Sequence, residues 1–418
     1  MTLGFDWRGR SERERIAEIR WRCYGSRGGT RERFGAEVTT ARMEDGDVLI
    51  ASADGQDVGT ATSLSMHMHI RGKRVPCQGV AWVGTSKSHR RRAGSEGSKN
   101  ERGIASQIME KVVAKGRERG QSVSALMPFR TSFYEHFGYG LVEYQNIWTI
   151  PLELLPQAPT DGWRFGAASD KPAMVACRAR QATAGHCDVE TSAAGIDEWF
   201  QSLADSTQLF VQTDGDKIGA YAWVKTVDES DLSDGSDRLI AHILQPSWDS
   251  PAALLSLLAM IGSLRDQYAA VRIVLPTDVP LNWLLREHQV PHRNVQHPAA
   301  ACKVISRMQA RIIDPVKFLT GQKLSRPVTG GAIVGVRESE GDAHTYELSA
   351  SDGVIECKPS ARSADIELTD VLFAAIMCGS LRASAAQQCG LVSARAAPAI
   401  AWLDALADGP AGFSFEYF

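Results

Sequence analysis

Met127-Pro128-Phe129-Arg130-Thr131-Ser132-Phe133-Tyr134-Glu135-His136-Phe137-Gly138-Tyr139-Gly140 is the stretch from which this chain is best read. It follows an apolar run, residues 122–127, that reads as a strand. Gly138 and Gly140 permit unusual backbone angles, so Tyr139 reads as packing for the turn. Upstream, residues 103–119 place Ile104, Ile108 and Val112 at i, i+4 and i+8, an amphipathic helix. Before that helix, Leu64, Met66, Met68 and Ile70 alternate with Ser65, His67 and His69, the period of a strand with one buried face. Arg71-Gly72-Lys73-Arg74 supplies a hairpin turn, and the next strand covers residues 75–85. Val48-Leu49-Ile50-Ala51 is a short strand ending at the turn residues Asp54-Gly55-Gln56-Asp57. Residues 13–24 have helical character. Helix, antiparallel strands, helix, strand is a mixed α/β order.

Pro151, Pro156 and Pro159 with Thr160-Asp161-Gly162 mark a boundary after Trp148-Thr149-Ile150. A second region, to about residue 300, repeats parts of the first. A helix is expected over 173–184. Leu209-Phe210-Val211-Gln212, the turn Asp214-Gly215-Asp216 and Ile218-Gly219-Ala220-Tyr221 then form a hairpin. Gly215 to Tyr221 parallels Gly55 to Ala61, which hints at a duplicated domain. Residues 227–237 are acidic and read as a solvated turn. From about residue 301, four short strands around Ile333, Tyr346, Ile355 and Ile366 are separated by Gly, Asp and Ser turns. Two helices follow, 371–377 capped by Thr369 and 394–407 capped by Ser393. Strands followed by helices is an α+β pattern.

The 418 residues exceed one ordinary core and suggest two to four domains. A net charge of -3 argues against nucleic acid as the main partner. No signal-peptide core opens the sequence, and apolar stretches such as residues 252–261 fall short of the ~20 residues of a membrane span. The eight cysteines are scattered and form no C-x-x-C pair, which reads as reduced thiols in a cytoplasmic protein.

A ligand carrying a pyrophosphate needs backbone N–H groups converging at a helix N-terminus, with small residues that let the phosphates approach. Gly79-Val80-Ala81-Trp82-Val83-Gly84-Thr85 is followed by the cationic run His89-Arg90-Arg91-Arg92, and Gly103-Ile104-Ala105 opens the helix. Residues 93–102, polar and glycine-rich, intervene. Either that insert loops out and Arg102 stands beside Gly103, or it blocks the phosphate site. The chain ends Glu416-Tyr417-Phe418.

With the arginine run, residues 127–140 resemble the Eis (enhanced intracellular survival) family of GNAT acetyltransferases. There Phe-Tyr or Ile-Tyr is followed, two residues later, by Phe-Gly-Tyr-Gly; here these are Phe133-Tyr134 and Phe137 to Gly140. The resemblance extends over the whole chain, including the terminal phenylalanine. It implies a GNAT domain over 1–150, a second, degenerate GNAT-like domain over 151–300, and an α+β domain like sterol carrier proteins over 301–418. It also implies acetyl-CoA as co-substrate, no metal, direct transfer to aminoglycoside-like or lysine-type amines in a wide acidic pocket, and a homohexamer. Backbone at Val83, Gly84 and Thr85, with Phe129 and Arg130 opposite, would hold the pantetheine arm. Arg91, Arg92 and Arg102 with Gly103, Ile104 and Ala105 would hold the pyrophosphate. Tyr134 would be the general acid and the α-carboxylate of Phe418 the base, ionised at neutral pH because such a group titrates near ~3.5.

Other readings stand beside this one. Tyr134 could be a core tyrosine and Phe418 a frayed end. His67 and His69 share a strand face without a third ligand and read as hairpin surface, and His136 reads as helical exposure rather than an alternative base. As a whole, the chain could be a non-catalytic scaffold or apolar-ligand binder whose insert has disabled the acetyl-CoA site, or an acyltransferase for a longer acyl group.

Overall fold

Strand β1 (Leu3–Arg8) pairs with β2 (Val48–Ala53). From β2 the chain turns into β3 (Gln56–Ile70), and from β3 into β4 (Lys73–Thr85). Asp54-Gly55 and Arg71-Gly72, the two hairpin tips, all have positive φ. That backbone twist matches the twist of the strands it joins. The structure, a computed structural model, describes residues 3–25, 34, 43–90, 103–202, 206–230, 238–286 and 299–418.

The chain divides into two compact units. The first comprises Met1–Val142, Met308–Gly409 and Tyr417–Phe418; the second comprises Glu143–Arg307 and Pro410–Glu416. In the first, the helix Ile104–Glu118 carries the chain from β4 to β5 (Val123–Leu126), which lies parallel to β4. The strand Gln309–Ile312 then lies antiparallel between β5 and β6 (Gly140–Leu141). Ile104, Ile108, Met109 and Val112 cover one sheet face against Leu49, Val58 and Ala61. On the other face, Ile16 from the helix Arg13–Tyr24 packs with Val48, Ile50 and Leu64. The periodicities of 2 and 3.6 read from the sequence are thus the ones that build this core.

One strand face departs from expectation. His69, read as hairpin surface, is buried at 7% exposure. Chain from the C-terminal region covers the hairpin tip: Lys323 N–H donates to Arg71 O (2.9 Å) and Lys73 Nζ donates to Lys317 O (2.5 Å).

That C-terminal region has a sheet ordered Val354–Pro359, Ala343–Ser351, Gly331–Arg337, Ile366–Thr369. Thr369 Oγ1 accepts from Leu372 N–H (3.3 Å) at the start of the helix Asp370–Met377, as expected of a cap. Ser393 does not cap the last helix. It spans Ala397–Asp404 behind Ala396, because Pro398, with its fixed φ and missing N–H, sets the first turn.

The Phe-Gly-Tyr-Gly turn docks this region. Gly138 has φ +76°, and a Cβ there would lie 2.3 Å from Asp370 Oδ2. Arg311, buried, donates to Phe137 O (2.8 Å), Glu338 (2.9 Å) and Glu340 (2.9 Å). With Arg117 also in contact, Glu340 is held down at about 2 despite its desolvation.

The second unit has a sheet ordered Ala301–Ser306, Tyr144–Pro151, Ala270–Pro276, Leu239–Trp248, Lys217–Asp228, Thr207–Asp214, Trp163–Phe165. Among the described residues its one parallel pair joins Leu239–Trp248 to Ala270–Pro276. The helix Pro251–Gly262 connects those two strands. The helix Lys171–Ala184 matches the expected 173–184 within a few residues.

Candidate active site

A cleft opens in the first unit because two parallel strands part. β4 pairs with β5 only from Cys77 opposite Val123 to Val80 opposite Leu126. β4 then runs on to Thr85, paired on its other side with β3. A bulge falls in this stretch: Thr62 faces Ala81 but Thr60 faces Gly84, and Trp82 takes φ +53°. A bulge bends a strand and sharpens its twist. The outer edge of β4 past Val80 therefore faces a cleft of about 880 Å³.

Aromatic rings make much of its wall. Trp82 meets Tyr24 edge-on (centroids 5.4 Å apart) and Phe34 (5.8 Å), and the Arg20 guanidinium lies 4.8 Å from its centroid. On the β5 side, Tyr134 is 4% exposed and packs edge-on against Phe133 (4.9 Å) and Phe129 (5.6 Å). Burial raises the Tyr134 phenol above its ordinary pKa, so it carries its proton throughout the neutral range. Tyr139 lies behind it, 2.7 Å from Ser124 Oγ, and burial pushes it up to about 12. Its role is packing and one buried hydrogen bond, as the flanking glycines suggested.

The chain's last two residues reach this cleft, and both Tyr417 and Phe418 line it. Phe418 packs against Met66 and the buried cluster of Ile16, Met43 and Leu64. A half-buried terminal ring on a hydrophobic cluster gives the α-carboxylate a defined neighbourhood, which chain ends ordinarily lack.

The expected ligand-binding residues divide as follows. Val83, Gly84, Thr85, Ala105 and Phe129 line the cleft. Gly103 is the N-cap of the helix and places no side chain on its first amides, the kind of helix start that receives an anion. Ile104 is buried in the core, so only its backbone faces that end. Arg130 is exposed and lies outside the lining. Arg91, Arg92, Arg102 and the insert fall outside the described residues. Arg90 lines the cleft and donates to Thr85 O (3.2 Å) and Cys23 O (3.3 Å). The free β4 edge and the uncapped helix start fit an acyl-pantetheine arm and its pyrophosphate.

Among the described lining residues no side chain is Asp or Glu, and the expected acidic pocket is not built by them. His136 is exposed, its Nδ1 2.6 Å from Ser132 O. No group of three His, Cys, Asp or Glu is placed for a metal ion among the described residues, and none of their helices is long and apolar enough to cross a membrane. Tyr24 and Phe34 went unread in the sequence, and Trp82 was read only as part of its strand, because tertiary contacts bring the three rings together.

Residues 9–142 match the Acetyltransferase (GNAT) domain family. This part of the chain is a GNAT acetyltransferase domain. Such domains use acetyl-CoA as co-substrate, in agreement with the cleft geometry. Several solved structures match over the whole chain. A GCN5-related N-acetyltransferase from Anabaena variabilis has a TM-score of 0.82 and 18% identity, with 100% of both chains covered. Eis1 from Mycobacterium abscessus has a TM-score of 0.79 and 20% identity, again over 100% of both. A probable N-acyltransferase from Enterococcus faecalis has 0.79 and 17%, over 100% of both. At these identities the likeness shows the fold alone, over the whole chain. No curated protein matches the chain.

Proposed function

We propose that the protein is an acetyl-CoA-dependent N-acetyltransferase acting on amines by direct transfer. The observation that carries this is the meeting of Tyr134 and Phe418 in one cleft beside the free edge of β4. The amine nitrogen attacks the thioester carbonyl and forms the C–N bond. The C–S bond breaks, the amine loses a proton and the departing thiolate gains one. Tyr134, held protonated by burial, is the donor to sulfur. The Phe418 α-carboxylate, ionised at neutral pH, takes the amine proton. Val83, Gly84 and Thr85 bind the pantetheine arm, and the Gly103–Ala105 amides, with Arg91, Arg92 and Arg102, bind the pyrophosphate. Phe129 and Arg130 close the arm from the β5 side. Lysine-type and aminoglycoside-like amines are the acceptor classes to try first.

The second unit, Glu143–Arg307 with Pro410–Glu416, reads as the degenerate GNAT-like domain expected over 151–300, in tandem with the GNAT domain expected over 1–150. Its strand order and single parallel pair support this. So does a second bulge: Tyr221 faces Ser247 but Trp223 faces Leu244, and Gln245 takes φ +47°, as Trp82 does in β4. Degeneracy fits the helix start. Ser250 Oγ accepts from Ala253 N–H (3.2 Å), Pro251 follows, and Asp249 sits beside them bound to Arg180 and Lys217. With Ser250 on one of its first amides and Pro251 lacking an N–H, this helix start has fewer donors left for a pyrophosphate. Residues 301–418, a four-stranded sheet with helices, read as the sterol-carrier-like domain. A cytoplasmic homohexamer is the assembly the resemblance implies.

The test is thiol release from acetyl-CoA with a panel of amines. Amine-dependent release, with the acetyl group found on nitrogen, supports the proposal. Absence of release in a folded protein that binds no acetyl-CoA refutes it.

A further inference from the structure

The second unit holds a segment it does not own in sequence. Pro410–Glu416 clusters with Glu143–Arg307 although a hundred residues separate them. Chain ends normally fray. Here Phe413, Ser414, Phe415 and Glu416 are all under 10% exposed: 4%, 0%, 9% and 1%.

Their polar groups are met one by one. Phe413 N–H donates to His186 O (2.9 Å), and Ser414 N–H to Glu143 Oε1 (3.3 Å). Phe415 N–H donates to Asp188 Oδ1 (3.2 Å), whose carboxylate is also paired with buried Arg178 (2.8 Å). Val189 N–H donates to Ser414 Oγ (3.3 Å), and the Thr191 hydroxyl donates to the Glu416 carboxylate. The Phe415 ring stands edge-on to Trp248 (5.3 Å) with the Arg178 guanidinium 5.1 Å from its centroid. Buried polar groups need such partners, and here side chains of the second unit supply them to the terminal segment.

The place is also specific. Arg178 and Arg20 are each the eighth residue of their helices, Lys171–Ala184 and Arg13–Tyr24, and both are buried. Trp248 and Thr85 each lie three residues past the positive-φ residue of their bulge. In the GNAT domain these elements border the open cleft. In the second unit their counterparts touch the tail.

We propose that the second unit serves as a receptor for the chain's own C-terminal segment, and that Asp188, Thr191 and Glu143 are positioning residues for the Phe418 carboxylate. The role of that carboxylate rests on the function proposed above. Only two residues follow Glu416. Each loose residue adds up to ~3.5 Å of wander, and a 1 Å misplacement of a reacting group costs up to about 10²-fold in rate. Anchoring through Glu416 removes that freedom before substrate arrives.

The test compares wild type with the double variant Ser414→Ala/Thr191→Val, with Phe415→Leu as a second disruption and Thr191→Ser as the conservative control. Three readouts are taken on the full chain: release of Phe418 by a carboxypeptidase, kcat with the best amine, and acetyl-CoA binding by calorimetry. The expected result is release of Phe418 at least 10-fold faster and kcat at least 10-fold lower in both disrupted variants. Acetyl-CoA affinity stays unchanged, and Thr191→Ser behaves as wild type. Unchanged release, or faster release with undiminished kcat, overturns the proposal. If wild type turns over no amine, the enzymatic reading has failed, and the release assay alone still judges whether the second unit holds the tail.

Discussion

Gly79 of β4 lies under the ring of Phe418: a Cβ at Gly79 would stand 3.0 Å from Phe418 Cδ2 and 2.5 Å from Met66 Sδ. A bare stretch of strand is thus the seat of the chain's last residue. Gly79→Val fills that seat. Turnover should fall by about 10²-fold, the scale for a displaced catalytic group, while acetyl-CoA affinity, set further along β4, stays within a few-fold. Steady-state kinetics beside calorimetry checks this, and an unchanged kcat would show that the ring does not need this seat.

Tyr134→Phe keeps the aromatic cluster with Phe129 and Phe133 and removes only the proton. Losing a general acid costs about 10²-fold or more in kcat. Acetyl-CoA binding and melting temperature should remain near wild type. A variant with full turnover would exclude Tyr134 from proton transfer.

Removing Phe418 leaves the chain's carboxylate on Tyr417, retracted by up to ~3.5 Å. Activity should drop at least as far as in Tyr134→Phe, with the fold intact by circular dichroism. Restoring full rate would need a base elsewhere in the cleft.

Glu143 is buried, and desolvation lifts its carboxyl to about 7 from an ordinary 4.5. A raised carboxyl pKa means that the folded state holds the proton more tightly than the unfolded chain. Its contribution is complete below about 4.5 and is lost as pH rises through about 7. Glu143→Gln mimics the protonated form. It should gain stability relative to wild type between pH 5 and pH 8, on the order of 1–3 kcal/mol. Chemical denaturation at the two pH values measures it; equal differences at both would place the Glu143 pKa outside that window.

A Cβ at Gly140 would lie 2.1 Å from Val371 O, a backbone atom that cannot swing aside. Gly140→Ala should cost about 1–3 kcal/mol, the scale of overpacking. The loss would appear in the melting temperature before it appears in acetyl-CoA affinity. No change in stability would mean that the helix Asp370–Met377 adjusts freely.

Local pattern carried the reading of the elements. Alternation at Leu64, Met68 and Ile70, the i, i+4, i+8 spacing of Ile104, Ile108 and Val112, and the Gly turns at 55 and 72 are short-range signals, and the structure has these strands, helix and hairpins. His69 and Ser393 were misread where a distant segment or a proline overruled the local pattern. Of the cleft, the chain showed the Tyr134 motif, the Val83–Thr85 stretch and its own last residue, but not the ring contacts of Trp82 with Tyr24 and Phe34.

By itself, then, the sequence determined the period of many elements, turns between them and the presence of a Phe-Tyr pair ahead of a Phe-Gly-Tyr-Gly turn. Those depend on neighbours within a few residues. Only the tertiary structure decided where β4 and β5 part, which rings close the cleft, and that Pro410–Glu416 is gripped by Asp188, Thr191 and Glu143. The β4–β5 pairing and the ring contacts join residues tens of positions apart and the tail contacts residues more than two hundred apart, and their energies arise from burial and hydrogen bonding that no local spacing encodes.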